Sequence, residues 1–414
     1  MPKVAIIHHG YIPHYRVRFY ERLARDGHAD YTVFHGAPPS WIGVPAAQGP
    51  FAFPTRWIDN REFRIGPATA VYQPVLREIL FGGYDAVVLS AEAKFVANIA
   101  LALLAPLRGI AVLYWGFGYH PQRGFRDSDA PHRRLFARVN ALKDALTRRA
   151  DGYLAYTATG VERLVAAGYP RERAFVMHNT IDVSEQIALC EKVAGEDDAA
   201  LRRELGLMPD STVFAYIGRL VQFKRVDQLI DAVRDIKRRR LARRPVELLV
   251  IGGGPLEAEL RARAGDLPEV HFLGTLPPDI RVARCLKVSA AVAIAGAVGL
   301  LVNHAFAHGR AVITRDIEAH GAEIEYVTHG ENGLVVPGDL AAFAAALADF
   351  ADDPAARARL SAGALAARDG LRLEAMVDRF DAAVCTTLAR RFPFVNRLKA
   401  PWPSRIDGGI SEER

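Results

Sequence analysis

Tyr216-Ile217-Gly218-Arg219-Leu220-Val221-Gln222-Phe223-Lys224-Arg225-Val226-Asp227 decides how this 414-residue chain is to be read. An apolar run, Val213 to Ile217, predicts a buried strand that breaks at Gly218. Val226 to Ile236 then has the period of a helix. Between them stand a glycine and two cations five residues apart, Arg219 and Lys224. A strand-to-helix turn offers free backbone N–H groups and the positive end of the helix dipole. Two fixed cations converging there suit a diphosphate, which has charge to neutralise and several acceptor oxygens. The spacing alone also fits a surface turn with two solvated cations, because such turns are common in α/β proteins.

The same alternation of strand and helix continues on both sides. Downstream, Val246 to Ile251 predicts a strand that ends in Gly252-Gly253-Gly254-Pro255, with a helix from Leu256 to Ala264. A glycine run between strand and helix allows close approach to a nucleotide, although the dinucleotide spacing Gly-x-Gly-x-x-Gly is absent. Ala290 to Ala295 is a further buried strand, followed by a helix from Gly299 to Ala307. Upstream, Lys3 to His8, Tyr31 to Phe34, Tyr84 to Ser90, Ile110 to Tyr114 and Asp151 to Tyr156 predict strands. Helices are expected at Val17 to Arg25, Lys94 to Leu104, Pro131 to Arg149 and Thr157 to Ala167, the last closed by Gly168. The segment from Pro38 to Pro67, rich in Pro, Gly, Trp and Arg, reads as irregular. Glu185 to Leu205 reads as a charged helical connector. The pattern is an α/β chain long enough for two domains, each with its own core.

The turn from Gly218 resembles the Gly-Arg-Leu-x-x-x-Lys-x-x-Asp signature of the retaining glycosyltransferases of family 4. The resemblance covers most of the chain, from Lys3 to about Asp381, and it implies the GT-B fold: two Rossmann-like domains facing across a cleft. It implies that Arg219 and Lys224 hold the diphosphate of a sugar nucleotide. Phe175-Val176-Met177-His178-Asn179-Thr180-Ile181-Asp182 resembles the family's Asn-Gly-Ile-Asp end of the first domain, with Thr180 in place of glycine. The expected domains are therefore residues 1–183 on the acceptor side, joined by a last helix at about 374–395 that crosses back, and 184–373 on the nucleotide-sugar side. A tail, 396–414, is left unassigned.

The family's first strand-to-helix loop lies in the cleft, which implies acceptor-side roles around His9 and a close approach at Gly10. Trp115-Gly116-Phe117-Gly118-Tyr119-His120 follows a strand at the end where ligands bind in open α/β sheets. Relatives carry a histidine before a glycine in this loop. Here Phe117 has that place and His120 is the nearest histidine, open either to a catalytic contact or to a core or loop role. Trp115, Gly116, Phe117 and Gly118 are the acceptor-side candidates. The donor-binding set is Gly10, Gly218, Arg219, Lys224, Gly252, Gly253, Gly254, Gly274, Gly299, Leu300 and His304. Gly274 enters because His271 to Gly274 resembles the family's Phe-x-Gly turn near the base.

One departure stands out. Family 4 carries two glutamates eight positions apart where the chain has Gly296 and His304. A neutral or charged histidine still bonds a hydroxyl, so His304 could keep a ribose contact. Gly296 has no obvious replacement carboxylate. Glu323 best matches a later family glutamate, in a stretch running His320-Gly321-Ala322-Glu323.

Composition narrows the field. The net charge is +6 and apolar content is 50%. Cys190, Cys285 and Cys385 are too scattered for a disulfide framework or metal-ligand spacing, and a reducing cytoplasm fits them. His8, His9 and His14 lack a Cys or carboxylate partner at ligand spacing. Asp127-Ser128-Asp129 sits among arginines and not after an apolar strand, so no metal is expected there either. No signal peptide or spanning helix is expected.

Met1 to Asp182 holds 22 Lys plus Arg against 15 Asp plus Glu, so the first half carries the basicity. A surface facing anionic lipid, a phosphate-bearing acceptor or nucleic acid would explain this, and so would solvated faces. The Pro131 to Arg149 helix, with its stripe of Leu135, Phe136, Val139, Leu142 and Leu146, fits either packing on a sheet or lying on a membrane surface.

The expected protein is thus a metal-independent hexosyltransferase. It would move a sugar from a nucleotide sugar to a glycan or lipid-linked acceptor with retention, in the cytoplasm and either free there or peripheral at the inner face of the cell membrane, in bacterial surface polysaccharide synthesis. Its rivals are a nucleotide-sugar epimerase of the same fold and a catalytically silent sugar-nucleotide-binding subunit. Nucleic acid is not expected as a partner, because the basic half lacks a reading motif.

Overall fold

The computed structural model describes residues 1–40, 44–65, 68–118, 133–265, 267–277, 279–318 and 320–391; of residues 65, 68 and 133–137 only the backbone is described. Among these residues nine strands precede the middle of the chain: β1 (Lys3–Ile7), β2 (Asp30–His35), β3 (Thr55–Trp57), β4 (Arg61–Ile65), β5 (Ala68–Tyr72), β6 (Ala86–Ser90), β7 (Ala111–Gly116), β8 (Gly152–Ala155) and β9 (Ala174–Val176). Seven of them form one sheet in the order β3-β2-β1-β6-β7-β8-β9, and every pairing is parallel. A second sheet is built from β10 (Thr212–Ile217), β11 (Val246–Ile251), β12 (Val270–Gly274), β13 (Ala291–Ile294), β14 (Ala311–Arg315) and β15 (Gly333–Val336). Its order is β12-β11-β10-β13-β14-β15, again all parallel.

The strands are buried on both faces, which is why they read as continuous apolar runs and not as alternating ones. Along β1, Val4 and Ile6 enter one core and Ala5 and Ile7 the other, as the two-residue period requires. The second sheet shares one core with its covering helices. The last helix, Leu373–Arg391, belongs to the first domain's core: Met376, Val377, Phe380 and Val384 pack with Phe19 and Trp115. Its buried Asp381 accepts from the Tyr31 hydroxyl (2.7 Å) and from the His28 backbone N–H (2.9 Å), so the helix is tied as well as packed.

The structure corrects two sequence expectations and bears on a third that the sequence leaves open. The segment from Pro38 to Pro67 is not wholly irregular: β3 extends the first sheet, and β4 pairs with β5 as an antiparallel hairpin. Its signal is weak because the pair is a two-stranded ribbon outside both main sheets, with Phe63 39% exposed. Glu185 to Leu205 is not one connector helix. It forms Ser184–Val193 and Asp198–Glu204, and both pack on Ile280–Val288 of the second domain. In the helix Arg133–Arg149, Leu146 is buried but Leu142 is 43% exposed, so the apolar stripe is only partly covered. Among the described residues no helix is long and apolar enough to cross a membrane.

Candidate functional site

In open parallel sheets the natural crevice lies beyond the carboxyl ends of the strands, where the strand order reverses. In the second sheet that point lies between β10 and β13, the strands that feed Gly218 to Arg225 and Ala295 to Leu300. The first of these loops is interlocked with its other neighbour. Gly218 N–H donates to Ile251 O (3.0 Å), and Leu220 N–H to Gly253 O (3.0 Å). A Cβ on Gly252, whose φ is +140°, would fall 1.9 Å from Gly218 O, and one on Gly254 would fall 2.4 Å from Leu220 O. These glycines are therefore required by loop-on-loop packing. This packing role stands beside the expected approach of a nucleotide and does not replace it. Gly253 meets Thr275 in the same way, and Gly274 turns the chain at φ +67°.

The packing presents two cations differently. Arg219 is exposed, and its side chain makes no hydrogen bond or ion pair among the described residues; its carbonyl is held by the Tyr216 hydroxyl (2.8 Å). Lys224 is half-buried, and its ammonium donates to Ala297 O (2.7 Å). Burial lowers its pKa from 10.5 to about 8, with the Glu323 charge pulling the other way. Among the described residues no carboxylate is bonded to this lysine, so a charged lysine here has an unmet need for an anion. Arg225, in the left-handed region at φ +49°, turns the chain from Lys224 into the helix Val226–Arg239.

The loop after β13 lies against the Lys224 turn. Ala297 N–H donates to Phe223 O (2.9 Å), and a Cβ on Gly296 would fall 2.4 Å from Phe223 O and 2.6 Å from Lys224 O. Backbone thus occupies the space a side chain at 296 would need. A Cβ on Gly299 would come within 3.3 Å of the Lys224 ammonium. His320 fixes the loop from the other side: its Nδ1 accepts from Val298 N–H (3.1 Å) and its Nε2 faces Arg315 O (2.8 Å). Leu300 N-caps the helix Leu301–Ala307. That helix carries His304, which burial lowers to a pKa of about 4 and so keeps neutral.

The first domain answers with its own reversal point, between β1 and β6. His8 stacks on Trp115 with ring centroids 3.9 Å apart, and His9 lies 3.7 Å from Glu92, just past β6. Burial, then Arg16, lowers His9 to about 4. Gly10, at φ +70°, is covered by Gln73, whose amide is fully buried with neither end bonded among the described residues.

A buried polar chain joins the two halves. Arg16 donates to Thr180 O (2.8 Å) and to Asn179 Oδ1, and Asn179 Nδ2 donates to Glu323 Oε1 (2.6 Å). Burial raises the Glu323 carboxyl above its usual range, opposed by Asn179, Lys224 and Arg16. Thr180 uses its hydroxyl to bond Leu371 O (2.6 Å) and accepts from Asn303 Nδ2 (2.7 Å), which gives the threonine a locking role in the linker. Replacing Arg16 by Met is expected to cost about 2–4 kcal/mol, because two buried acceptors lose a charged donor. Urea midpoints would show it; a change below about 0.5 kcal/mol would place Arg16 with ordinary surface positions.

The structure thus brings Gly218, Arg219, Lys224, Gly299 and Leu300 together, with Glu323 beside them and His304 one turn into the next helix. Trp115 is corrected: it is fully buried under His8 and Phe19, because its ring fills the first core, and so it lines no cleft. Gly116 ends β7, Phe117 is 46% exposed, and Gly118 packs on Gly160. His120 and the Asp127-Ser128-Asp129 run lie outside the described residues. Arg16 and Gln73 escaped the sequence reading, and Asn179 reads there only as part of the domain-end motif, since a polar residue does not show its buried partner until the chain folds. Phe223, 58% exposed beside the Lys224 ammonium, was visible only as an aromatic in a turn.

Comparison with known proteins bears on this geometry. Residues 211–353 match the family described as Glycosyl transferases group 1. The D-inositol 3-phosphate glycosyltransferase of Nocardia farcinica is 31% identical over 200 residues, 46% of this chain and 42% of that protein. D-rhamnosyltransferase WbpZ of Pseudomonas aeruginosa is 31% identical over 132 residues, 30% of this chain and 32% of its own. The chain spans about half the length of the curated relatives it matches, or less. Among solved structures, Anabaena Alr3699/HepE in complex with UDP aligns at a TM-score of 0.68 with 17% identity, over 93% of this chain and 100% of that one. WaaG, a glycosyltransferase involved in lipopolysaccharide biosynthesis, aligns at 0.59 with 14% identity, over 94% and 100%. The protein has the GT-B fold. Its second domain is similar in sequence to the group 1 glycosyltransferases.

Proposed function

We propose that the protein is a glycosyltransferase that moves a sugar from a nucleotide-diphosphate donor to a glycan or lipid-linked acceptor, with retention of configuration. The observation that carries this is Lys224: half-buried at the reversal point of the second sheet, held by Ala297 O and bonded to no described carboxylate, with the exposed Arg219 on the same turn. Such a pair meets the charge that develops on a departing diphosphate, where preorganised donors count most. The solved relative with UDP bound and the group 1 match support a nucleotide-sugar donor.

In this reading the donor sits on the second domain, the acceptor approaches from the basic first domain, and the domains close over both. The sugar leaves and is attacked on one face, with no covalent enzyme intermediate. Glu323 is the carboxyl that could serve the sugar, since backbone fills the space at Gly296. Turnover is expected to persist in a chelator, because protein cations and backbone N–H groups meet the leaving group. Bacterial surface polysaccharide is the proposed setting, with peripheral contact to an anionic membrane.

The test is a thermal-shift screen of UDP, GDP, dTDP and ADP and their sugars, followed by nucleotide release in the presence of candidate acceptors. Ligand at about 100-fold over its Kd stabilises by about 2.7 kcal/mol. Stabilisation by one base family, with acceptor-dependent release that survives EDTA, is the expected result. A new sugar nucleotide formed without acceptor would make the protein an epimerase instead. Binding without turnover under any acceptor would make it a silent subunit, a reading that the filled space at Gly296 also favours.

A further inference from the structure

At the opposite edge of the second sheet, where β10, β13 and β14 begin, lies a cavity of about 330 Å³. That is the lower end of small-molecule pockets, about 300–1,000 Å³. Arg202, Arg244, Lys287, Arg310 and Arg357 line it, and no acidic residue does. Lys287 is paired with Asp198. The four arginines are bonded to no carboxylate among the described residues, although the Asp198 charge also reaches Arg310.

Part of this gathering has a plain structural cause. Helices that run antiparallel to the strands end at this edge, so their last carbonyls face it and attract cations. Arg310 donates to Lys287 O (3.1 Å), and Arg357 to Phe350 O (3.4 Å) and Ala351 O. Arg202 donates to Met208 O (3.2 Å) and Ser211 O (3.1 Å). Each of these bonds uses a single terminal nitrogen of the guanidinium, out of five N–H donors. Arg244 is exposed and caps nothing. Carbonyl dipoles do not cancel four full charges, and a concave surface concentrates their field.

We propose that this pocket binds a phosphate group, carried either by a soluble phosphorylated small molecule or by a phospholipid headgroup. Guanidinium forks match phosphate oxygens bidentately. The whole of β10 separates the pocket from the Lys224 turn, about 17 Å at ~3.3 Å per residue. The two sites are therefore occupied independently.

The experiment is calorimetric titration of inorganic pyrophosphate into wild type, Lys224→Ala, Arg244→Glu and Arg244→Glu/Arg357→Gln. Arg244 is exposed and makes no hydrogen bond or ion pair among the described residues, so Arg244→Glu should fold and decides the test by itself if the shorter glutamine at 357 loses the helix-end carbonyls. Wild type should show two sites. Lys224→Ala should keep one with unchanged affinity, and the arginine variants should weaken that one at least tenfold, by the loss of one or two charged contacts. Co-sedimentation with phosphatidic acid vesicles, against phosphatidylcholine alone, separates the sources: dependence on Arg244 and Arg357 there marks a lipid headgroup. Saturable pyrophosphate binding without vesicle binding marks a soluble ligand. If Lys224→Ala binds no pyrophosphate and vesicle binding ignores both arginines, the cations are helix caps only and the proposal fails. Loss of the donor site with this one retained would overturn the transferase reading alone.

Discussion

Replacing Lys224 with alanine is expected to lower kcat/KM for nucleotide-sugar turnover by about 10²–10³, the usual cost of removing one preorganised charge-stabilising group. Nucleoside diphosphate binding should weaken in parallel, because in the proposed reading the lysine meets the diphosphate in the ground state as well. The pH dependence is the sharper signature. Burial holds the Lys224 pKa near 8, and a bound diphosphate favours the charged form. Affinity should therefore be flat below pH 8 and fall above it, approaching tenfold per unit as the free lysine deprotonates. Lys224→Arg, always charged, should flatten that slope even if it binds less tightly.

The stability linkage has the opposite course. The folded pKa lies below the unfolded 10.5, so the lysine adds nothing to the pH dependence below about 8, where both states are protonated. Between about 8 and 10.5 the unfolded chain binds the extra proton, and this group's contribution to stability rises with pH. Nucleotide affinity that is the same at pH 7 and pH 9.5 would remove Lys224 from the diphosphate site.

Gly296→Glu should abolish nucleotide binding and destabilise the fold, although it introduces the glutamate of the family 4 pattern that the sequence resembles. A Cβ at 296 meets Phe223 O at 2.4 Å and the Lys224 carbonyl carbon at 2.5 Å. These are backbone atoms and cannot rotate away. Overpacking of this kind costs about 1–3 kcal/mol even for Gly296→Ala, and the turn that carries Lys224 must shift to admit it. We expect Gly296→Ala to lose most of its nucleotide-induced thermal shift and Gly296→Glu to lose all of it. A Gly296→Glu variant that keeps wild-type stability and gains activity would show that the loop opens freely, and that the glycine is a simple loss.

How much of this could be read beforehand depended on how locally each feature is encoded. Val213 to Ile217, Val246 to Ile251 and Ala290 to Ala295 declare themselves as strands because a parallel sheet buried on both faces needs uninterrupted apolar runs. The β4–β5 hairpin did not, since Arg61-Glu62-Phe63-Arg64 carries charges on an open ribbon. Gly252 to Gly254 were legible as glycines but not in purpose. Nothing in their spacing says that Gly252 and Gly254 are required by the backbone of Gly218 and Leu220.

By itself the sequence determined the α/β class, two domains, and a turn bearing Arg219 and Lys224 between a strand and a helix. The turn is written within a dozen neighbouring residues, where period and turn chemistry act, and the class and the two domains follow from that alternation repeated along 414 residues. Only the tertiary structure decided that Lys224 rests on Ala297, 73 residues away, and that Arg16 reaches Glu323 through Asn179. It alone showed that backbone fills the place at Gly296. These depend on burial and on contacts between distant loops, and the desolvation that tunes a lysine or a glutamate exists only once the chain has closed around it.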